Sequence, residues 1–236
     1  VFRAGNLAFE RIKFLQDGGV TKGKLLDVGA GGGEFTYLSG EMGFESEGME
    51  PNVGYSTYAR KEYGINIQTG RLSDVIGSYQ VITMFHVLEH IPDPIKTFKA
   101  LSELLEEDGC LFIEVPNIET NDASPHNIYF KAHIHYFSEA TLISSASQYF
   151  EVIASDNDSN LRILFRKRKK MGDLMLPSIS QVELTKRRLN RKGWTEYILT
   201  GRGYMKLFSR IGIIVREFML PKQKGVELLQ SLIKGK

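Results

Sequence analysis

Apolar positions follow two rhythms through the first two thirds of the chain: helical spacing and short unbroken runs. Leu7, Phe9, Ile12, Phe14 and Leu15 lie near helical spacing, and Gly18-Gly19 ends that helix. The run KLLDV at 24–28 predicts a buried strand, followed by a glycine-rich turn and a helix over 35–42. Residues 44–49 read as a strand, Asn52 caps a helix to Tyr63, and 65–68 form a short strand. YQVITM at 79–84 is a further strand, rich in β-formers. Pro92 and Pro94 open a helix to about residue 107, where Asp108-Gly109 stops it before a strand over 110–115. A polar, aromatic loop covers 116–137, and Ser138 caps a helix to about 148. Strands over 150–155 and 161–166 close the pattern, joined by the turn-rich DNDSN.

Strands alternating with helices predict an α/β fold, a doubly wound and mostly parallel sheet. The last two strands, joined by a short turn, add an antiparallel edge. The pattern divides the chain into an N-terminal helix (1–19), the α/β domain (20–166) and a helical C-terminal extension (167–236). In the extension, Tyr204, Leu207, Phe208, Ile211, Ile214, Val215 and Phe218 form one apolar stripe.

Charge sharpens that division. Residues 1–165 carry 12 Lys/Arg against 23 Asp/Glu, a net of −11, and residues 166–236 carry 18 against 5, a net of +13. The basic segment opens with RKRKK at 166–170. One reading packs it on the acidic domain or on a second subunit, giving a homodimer. Another lays it on an anionic membrane surface. A third uses it to grip an anionic substrate, with RNA the least favoured for want of a recognised binding module. No apolar run reaches the roughly 18 residues of a membrane span, and the N-terminus lacks a signal-peptide pattern. The single cysteine, Cys110, falls in a strand and reads as a small buried hydrophobe. These features place the protein in the cytoplasm, with peripheral membrane contact through the basic segment.

The sharpest local signal is LLDVGAGGGEF at 25–35, between a strand and a helix. Its glycines at 29, 31 and 33 let the backbone turn and approach a ligand. The spacing G-x-G-x-G differs from the dinucleotide fingerprint, which needs a glycine where Glu34 stands. No Lys-Ser/Thr follows, so it is not a phosphate-binding loop. Glu50 ends the next strand, where a carboxylate can accept both hydroxyls of a ribose; a plain role beside the following helix start is the bland alternative.

These segments resemble those of the class I S-adenosylmethionine (SAM)-dependent methyltransferases. LLDVGAGGGEF is similar to their first motif, EGMEPN to the second, TMFHVLEHIPDP to the fourth-strand motif and EDGCLFIEVPN to the fifth-strand segment. HIHYFSEATL resembles a stretch found in a subgroup acting on small molecules such as sugars and quinones. The resemblance covers about residues 20–166. It implies SAM as cofactor, with Asp27, Gly29 and Gly31 around its methionyl part, Glu50 on the ribose, and Leu72 and Phe85 near the adenine or sulfonium. TGRLSDV departs from the pattern: Ser73 stands where many relatives carry an acidic residue.

All five histidines fall between residues 86 and 135. Histidine suits proton transfer near neutral pH. Methyl transfer from a sulfonium is a direct displacement, which requires alignment and, for a hydroxyl acceptor, removal of a proton. His86, His133 and His135 are the candidate bases, with 133 and 135 on one side of an extended segment. His90 and His126 read as packing or loop residues. His86, Glu89 and His90 also form H-x-x-E-H, similar to the E-x-x-E-H of some metal-dependent O-methyltransferases of quinone biosynthesis and small RNA. The same string resembles many relatives without a metal, and no metal is assigned. The leading function is SAM-dependent methyl transfer to a hydroxyl of a small-molecule acceptor, such as a sugar, lipid-linked glycan or related metabolite. An RNA methyltransferase and a non-catalytic SAM-fold binding module are the alternatives.

Overall fold

The computed structural model describes residues 1–121, 124, 129–200, 205, 211–212 and 224–234. Its core is one seven-stranded sheet in the order β3-β2-β1-β4-β5-β7-β6. β1 (Gly23–Val28), β2 (Phe44–Glu50), β3 (Ile67–Thr69), β4 (Tyr79–Phe85) and β5 (Leu105–Pro116) run parallel. β7 (Asn160–Lys167) pairs antiparallel with both β5 and β6 (Phe150–Asp156), which is the predicted antiparallel edge. The chain starts in the middle of the sheet and winds outward in both directions, so the connections after β1 and β4 leave on opposite sides and a crevice opens at the carboxyl ends of the strands.

Helices cover both faces, and each face buries its own apolar cluster. One is built around Phe98, Leu101, Leu111, Ile113, Phe150 and Phe165. The other joins Leu15, Leu25, Phe35, Leu38, Phe112 and Leu229. α2 (Glu34–Glu41), α3 (Val53–Tyr63), α4 (Pro94–Leu104) and α5 (Glu139–Ala146) follow the expected order. Asn52 caps α3 by accepting from the amides of Gly54 and Tyr55, and Ser138 caps α5 by accepting from Thr141.

α4 ends at Leu104, short of the expected 107. Leu105 is drawn into the sheet opposite Tyr79 instead of extending the helix. The register then breaks before Val81 pairs with Cys110, and Asp108 takes a left-handed φ of 61°. The tertiary gain of a buried leucine on the ladder outweighs the helix propensity of two glutamates.

α1 (Phe2–Asp17) buries Gly5, Ala8, Ile12 and Leu15. Small residues lie at its start because the last described helix, α8 (Gly225–Lys234), crosses there: a Cβ on Gly5 would stand 2.5 Å from Leu229 Cδ2. α8 is held to the domain by Gly225 N–H donating to Glu62 Oε1 at 2.7 Å and by Gln230 donating to the Tyr37 hydroxyl at 3.1 Å. Between them lie α6 (Ile179–Arg191) and α7 (Trp194–Leu199). Apart from Met205, Ile211 and Gly212, residues 201–223 lie outside the described residues, and with them most of the predicted apolar stripe.

Candidate functional site

A cleft of about 700 Å³ opens at the carboxyl ends of β1, β2 and β4. Its walls include Gly29, Glu50, Leu72, Phe85, His86 and His90. Its size lies within the range of small-molecule and cofactor sites.

The loop after β1 builds one wall. Gly29, Gly31 and Gly33 all have positive φ, at 76°, 52° and 86°. Each orientation is one that side-chain-bearing residues rarely adopt. A Cβ on Gly29 would stand 2.3 Å from Val87 Cγ2, whereas nothing lies within 4 Å of the corresponding point on Gly31. Gly29 therefore presents bare backbone to the cleft, and open space lies beside Gly31.

Glu50 closes the second wall. Its Oε2 accepts from the Gly31 amide and its Oε1 from the Asn52 amide, both at 2.8 Å. The carboxylate is buried to 7% exposure and still borders the cleft. A carboxylate offers about four acceptor positions, so capacity remains for ligand hydroxyls. Leu72, in a short 3-10 turn, and Phe85, at the end of β4, supply apolar lining. Phe85 meets Phe35 and Phe112 edge to face, and the Arg11 guanidinium lies 4.1 Å over its ring.

Asp27 is placed differently from these. It is not among the cleft-lining residues; it lies beneath the loop, where its two oxygens accept the hydroxyls of Thr36 and Thr83 at 2.9 Å each. Burial raises its pKa to about 6, against the lowering effect of those two hydroxyls. It braces the junction of β1, β4 and α2 from inside.

His86 stands just beyond β4 with φ 55°, a conformation uncommon outside glycine. Its Nε2–H donates to Glu114 Oε1 at 3.0 Å, and Nδ1 lies 3.4 Å from Glu89 Oε1. Burial opposes its charge, but the hydrogen bond to Glu114 and the attraction of the nearby Glu89 carboxylate outweigh that and raise its pKa to about 9. Near neutral pH it is an imidazolium, without the lone pair that a base needs.

Glu114 is the residue that the sequence reading missed. It is fully buried on β5 and accepts from Arg11, Arg162, Asn160 and His86. Burial would raise its pKa; His86 and Arg11 overcome that and hold the carboxyl well below the usual range. A charged residue inside the apolar run LFIEV was the available signal.

The segment before α5 brings in the other histidines. The amides of Ile134 and His135 both donate to the Glu89 carbonyl. The chain turns here, with His133 N–H donating to Phe130 O and the consecutive amides of 134 and 135 sharing one acceptor, so this is not an extended segment, and neither His133 nor His135 is among the cleft-lining residues. His133 packs edge-on to His90, with its Nε2 3.9 Å from Glu89 Oε1, and burial lowers its pKa. The His135 Nε2–H donates to Pro92 O at 3.2 Å. His126 lies outside the described residues.

Glu89 is 1% exposed, and both its side-chain oxygens lack a hydrogen-bond partner. Ligating atoms of Glu89, His90 and His133 fall within 4.8 Å of one another, close enough to hold a metal ion. The His90 Nδ1–H donates to Ala132 O, which leaves Nε2 with its lone pair.

The chain is 30% identical to a ubiquinone biosynthesis O-methyltransferase of Histophilus somni, over 45% of this chain and 51% of that one. It is 27% identical to the same enzyme of Aeromonas salmonicida, over 45% and 50%. The chain thus spans about half the length of the curated relatives it matches. Among solved structures, a SAM-dependent methyltransferase of Thermotoga maritima superposes with a TM-score of 0.55 at 16% identity, covering 68% of this chain and 89% of that one. Magnesium protoporphyrin IX methyltransferase of Synechocystis, with bound S-adenosylhomocysteine, gives 0.56 at 13% identity, over 70% and 84%. These two likenesses show the fold, a Rossmann-like methyltransferase sheet. Residues 3–153 match the family described as "Methyltransferase domain", and the chain belongs to that family.

Proposed function

We propose that this protein transfers a methyl group from SAM to a hydroxyl of a small-molecule acceptor. The observation that carries the reading is the pairing of a bare glycine loop with Glu50 across one cleft. The residues fit the cofactor: Glu50 retains acceptor capacity for ribose hydroxyls, and Gly29, whose Cβ would collide with Val87, lines the cleft with backbone alone. Leu72 and Phe85 would flank the adenine or sulfonium region. SAM supplies an already activated methyl group, so the protein's task is alignment and removal of the acceptor's proton.

Of the three candidate bases, His133, packed against the cleft-lining His90, is best suited to that removal. Its lowered pKa keeps it neutral, and the buried Glu89 carboxylate beside it favours the imidazolium formed when it takes a proton. His86 contributes a fixed positive charge at the cleft wall, and His135 is tied to Pro92 O. A hydroxyl acceptor accords with the O-methyltransferases among the relatives; a sugar, lipid-linked glycan or quinone-type metabolite is the class to screen.

Calorimetric titration with SAM and S-adenosylhomocysteine tests the cofactor. Binding that weakens about 10- to 100-fold in Glu50→Ala is expected, the scale of losing hydrogen bonds to a charged group. Absence of binding by folded protein would remove the proposal. Methyl transfer to a panel of hydroxylated acceptors then tests the reaction.

A second reading of the same site, metal-assisted transfer, is favoured by buried Glu89, whose two side-chain oxygens accept no hydrogen bond. Glu89, His90 and His133 would hold the ion, which would make the acceptor hydroxyl more acidic. A zinc-dependent rise in melting temperature, absent in His90→Ala, would support this reading. Unchanged melting with zinc and full activity after chelation would exclude it.

A further inference from the structure

Between β7 and the end of α7 the chain exposes apolar side chains at unusual density. Leu176, Ile179 and Leu199 are 76%, 84% and 72% exposed, and Met171, Met175 and Trp194 are each more than half exposed. No residue of α6 or α7 is buried. Soluble monomers rarely expose so many large apolar groups along one short stretch of chain without a use for them. Among the described residues no helix is long and apolar enough to cross a membrane.

The same stretch is strongly basic. Between residues 169 and 192 the sequence carries seven cations, Lys169, Lys170, Lys186, Arg187, Arg188, Arg191 and Lys192, against two acids, Asp173 and Glu183, and Lys169 pairs with Asp108 and Lys186 with Glu183. Two of the cations anchor α6 to the domain: Arg188 donates to Glu119 Oε2 at 2.6 Å, and the Lys192 ammonium donates to the carbonyls of Ile118 and Thr120. Arg187 and Arg191 lie on α6 with exposed side chains. Glu119 belongs to the loop leaving the carboxyl end of β5, the end of the sheet at which the cleft opens.

From this juxtaposition of exposed apolar side chains and cations we infer that residues 171–199 form a docking surface for an anionic lipid bilayer. Apolar groups enter the headgroup boundary while Lys and Arg stay at the charged surface, and tryptophan favours that boundary. A second copy of this chain is a poorer occupant, because a two-fold interface would set one basic surface against another. The surface lies outside the residues that match the methyltransferase family, 3–153, and its lipid contact is independent of what the cleft binds.

The test is co-sedimentation of the full chain with vesicles of phosphatidylglycerol and phosphatidylcholine, and with phosphatidylcholine alone. Trp194 is the only tryptophan, so its fluorescence reports on this surface directly. Binding to the anionic vesicles only, weakened by salt and accompanied by a blue shift, is expected. Arg187→Gln with Arg191→Gln should weaken it about 25-fold, at about a factor of five for each cation. Leu176→Ser with Ile179→Ser and Leu199→Ser should weaken it about tenfold or more. These exposed positions leave folding intact, checked by an unchanged melting temperature. No binding, equal binding to both vesicle types, or anionic binding unaffected by either set of substitutions would overturn the inference. So would self-association of the full chain that the serine substitutions abolish without any vesicle binding, since it would assign the surface to a second copy.

Discussion

The imidazole of His86 and the carboxylate of Glu114 meet at 3.0 Å across adjacent parallel strands, and the His86 amide donates to the Glu114 carbonyl at 2.8 Å. The contact is doubly fixed, by side chain and by backbone. It follows from the β4–β5 register, in which Phe85 lies opposite Glu114 and puts His86 one step beyond. Histidine after this strand therefore acts as the cation of a buried network.

A pH dependence of stability follows. The folded pKa of His86, about 9, lies above its ordinary value of 6.5, so the folded state binds the proton more tightly than the unfolded chain. Its contribution is complete below about 6.5 and is lost as pH rises to 9. Thermal unfolding between pH 6 and 9.5 should show the melting temperature falling across that window, with a shallower fall in His86→Gln. Parallel curves for the two proteins would refute the assignment.

Replacing Glu114 by glutamine should cost far more than a surface charge change. The substitution leaves Arg11, Arg162 and His86 around a neutral, fully buried group. Breaking a buried pair in this way destabilises by about 3–5 kcal/mol. Urea unfolding at pH 7 measures it, and a loss below about 1 kcal/mol would mean that water replaces the carboxylate without penalty.

Two glycine substitutions should act in opposite directions. Gly29→Ala forces a Cβ into Val87 at a positive φ, so S-adenosylhomocysteine affinity should drop at least about tenfold, with some loss of stability. Gly40→Ala meets nothing within 4 Å in α2 and should stabilise by up to about 1 kcal/mol with cofactor affinity unchanged. Equal effects of the two on calorimetric affinity would count against the loop as cofactor cradle.

The histidines should separate by role once an acceptor is found. His133→Ala should reduce kcat by about 10²- to 10⁴-fold, the scale of general base catalysis. His135→Ala, which removes a donor to Pro92 O, should leave kcat within a few-fold of wild type. Comparable losses in both would return the base to an open question between them.

Much of this molecule was readable before any coordinate. Element order, the parallel sheet with its antiparallel edge, the glycine loop and the position of Glu50 at the end of β2 all follow from periodicity, caps and turn residues within a few positions of one another. Local sterics decide these features, and local sterics are written in consecutive residues. The end of α4 escaped that logic because Leu105 answers to Tyr79 on a neighbouring strand. The charge environment of the histidines escaped it as well. Arg11 and Glu114 are 103 residues apart and Glu114 and Arg162 are 48 apart, yet they meet on one buried carboxylate. Whether a histidine is a neutral base or a fixed cation depends on the charges that surround it after folding. Those charges come from α1, β5 and β7, so only the tertiary structure could decide that His86 is held charged while His133 is not.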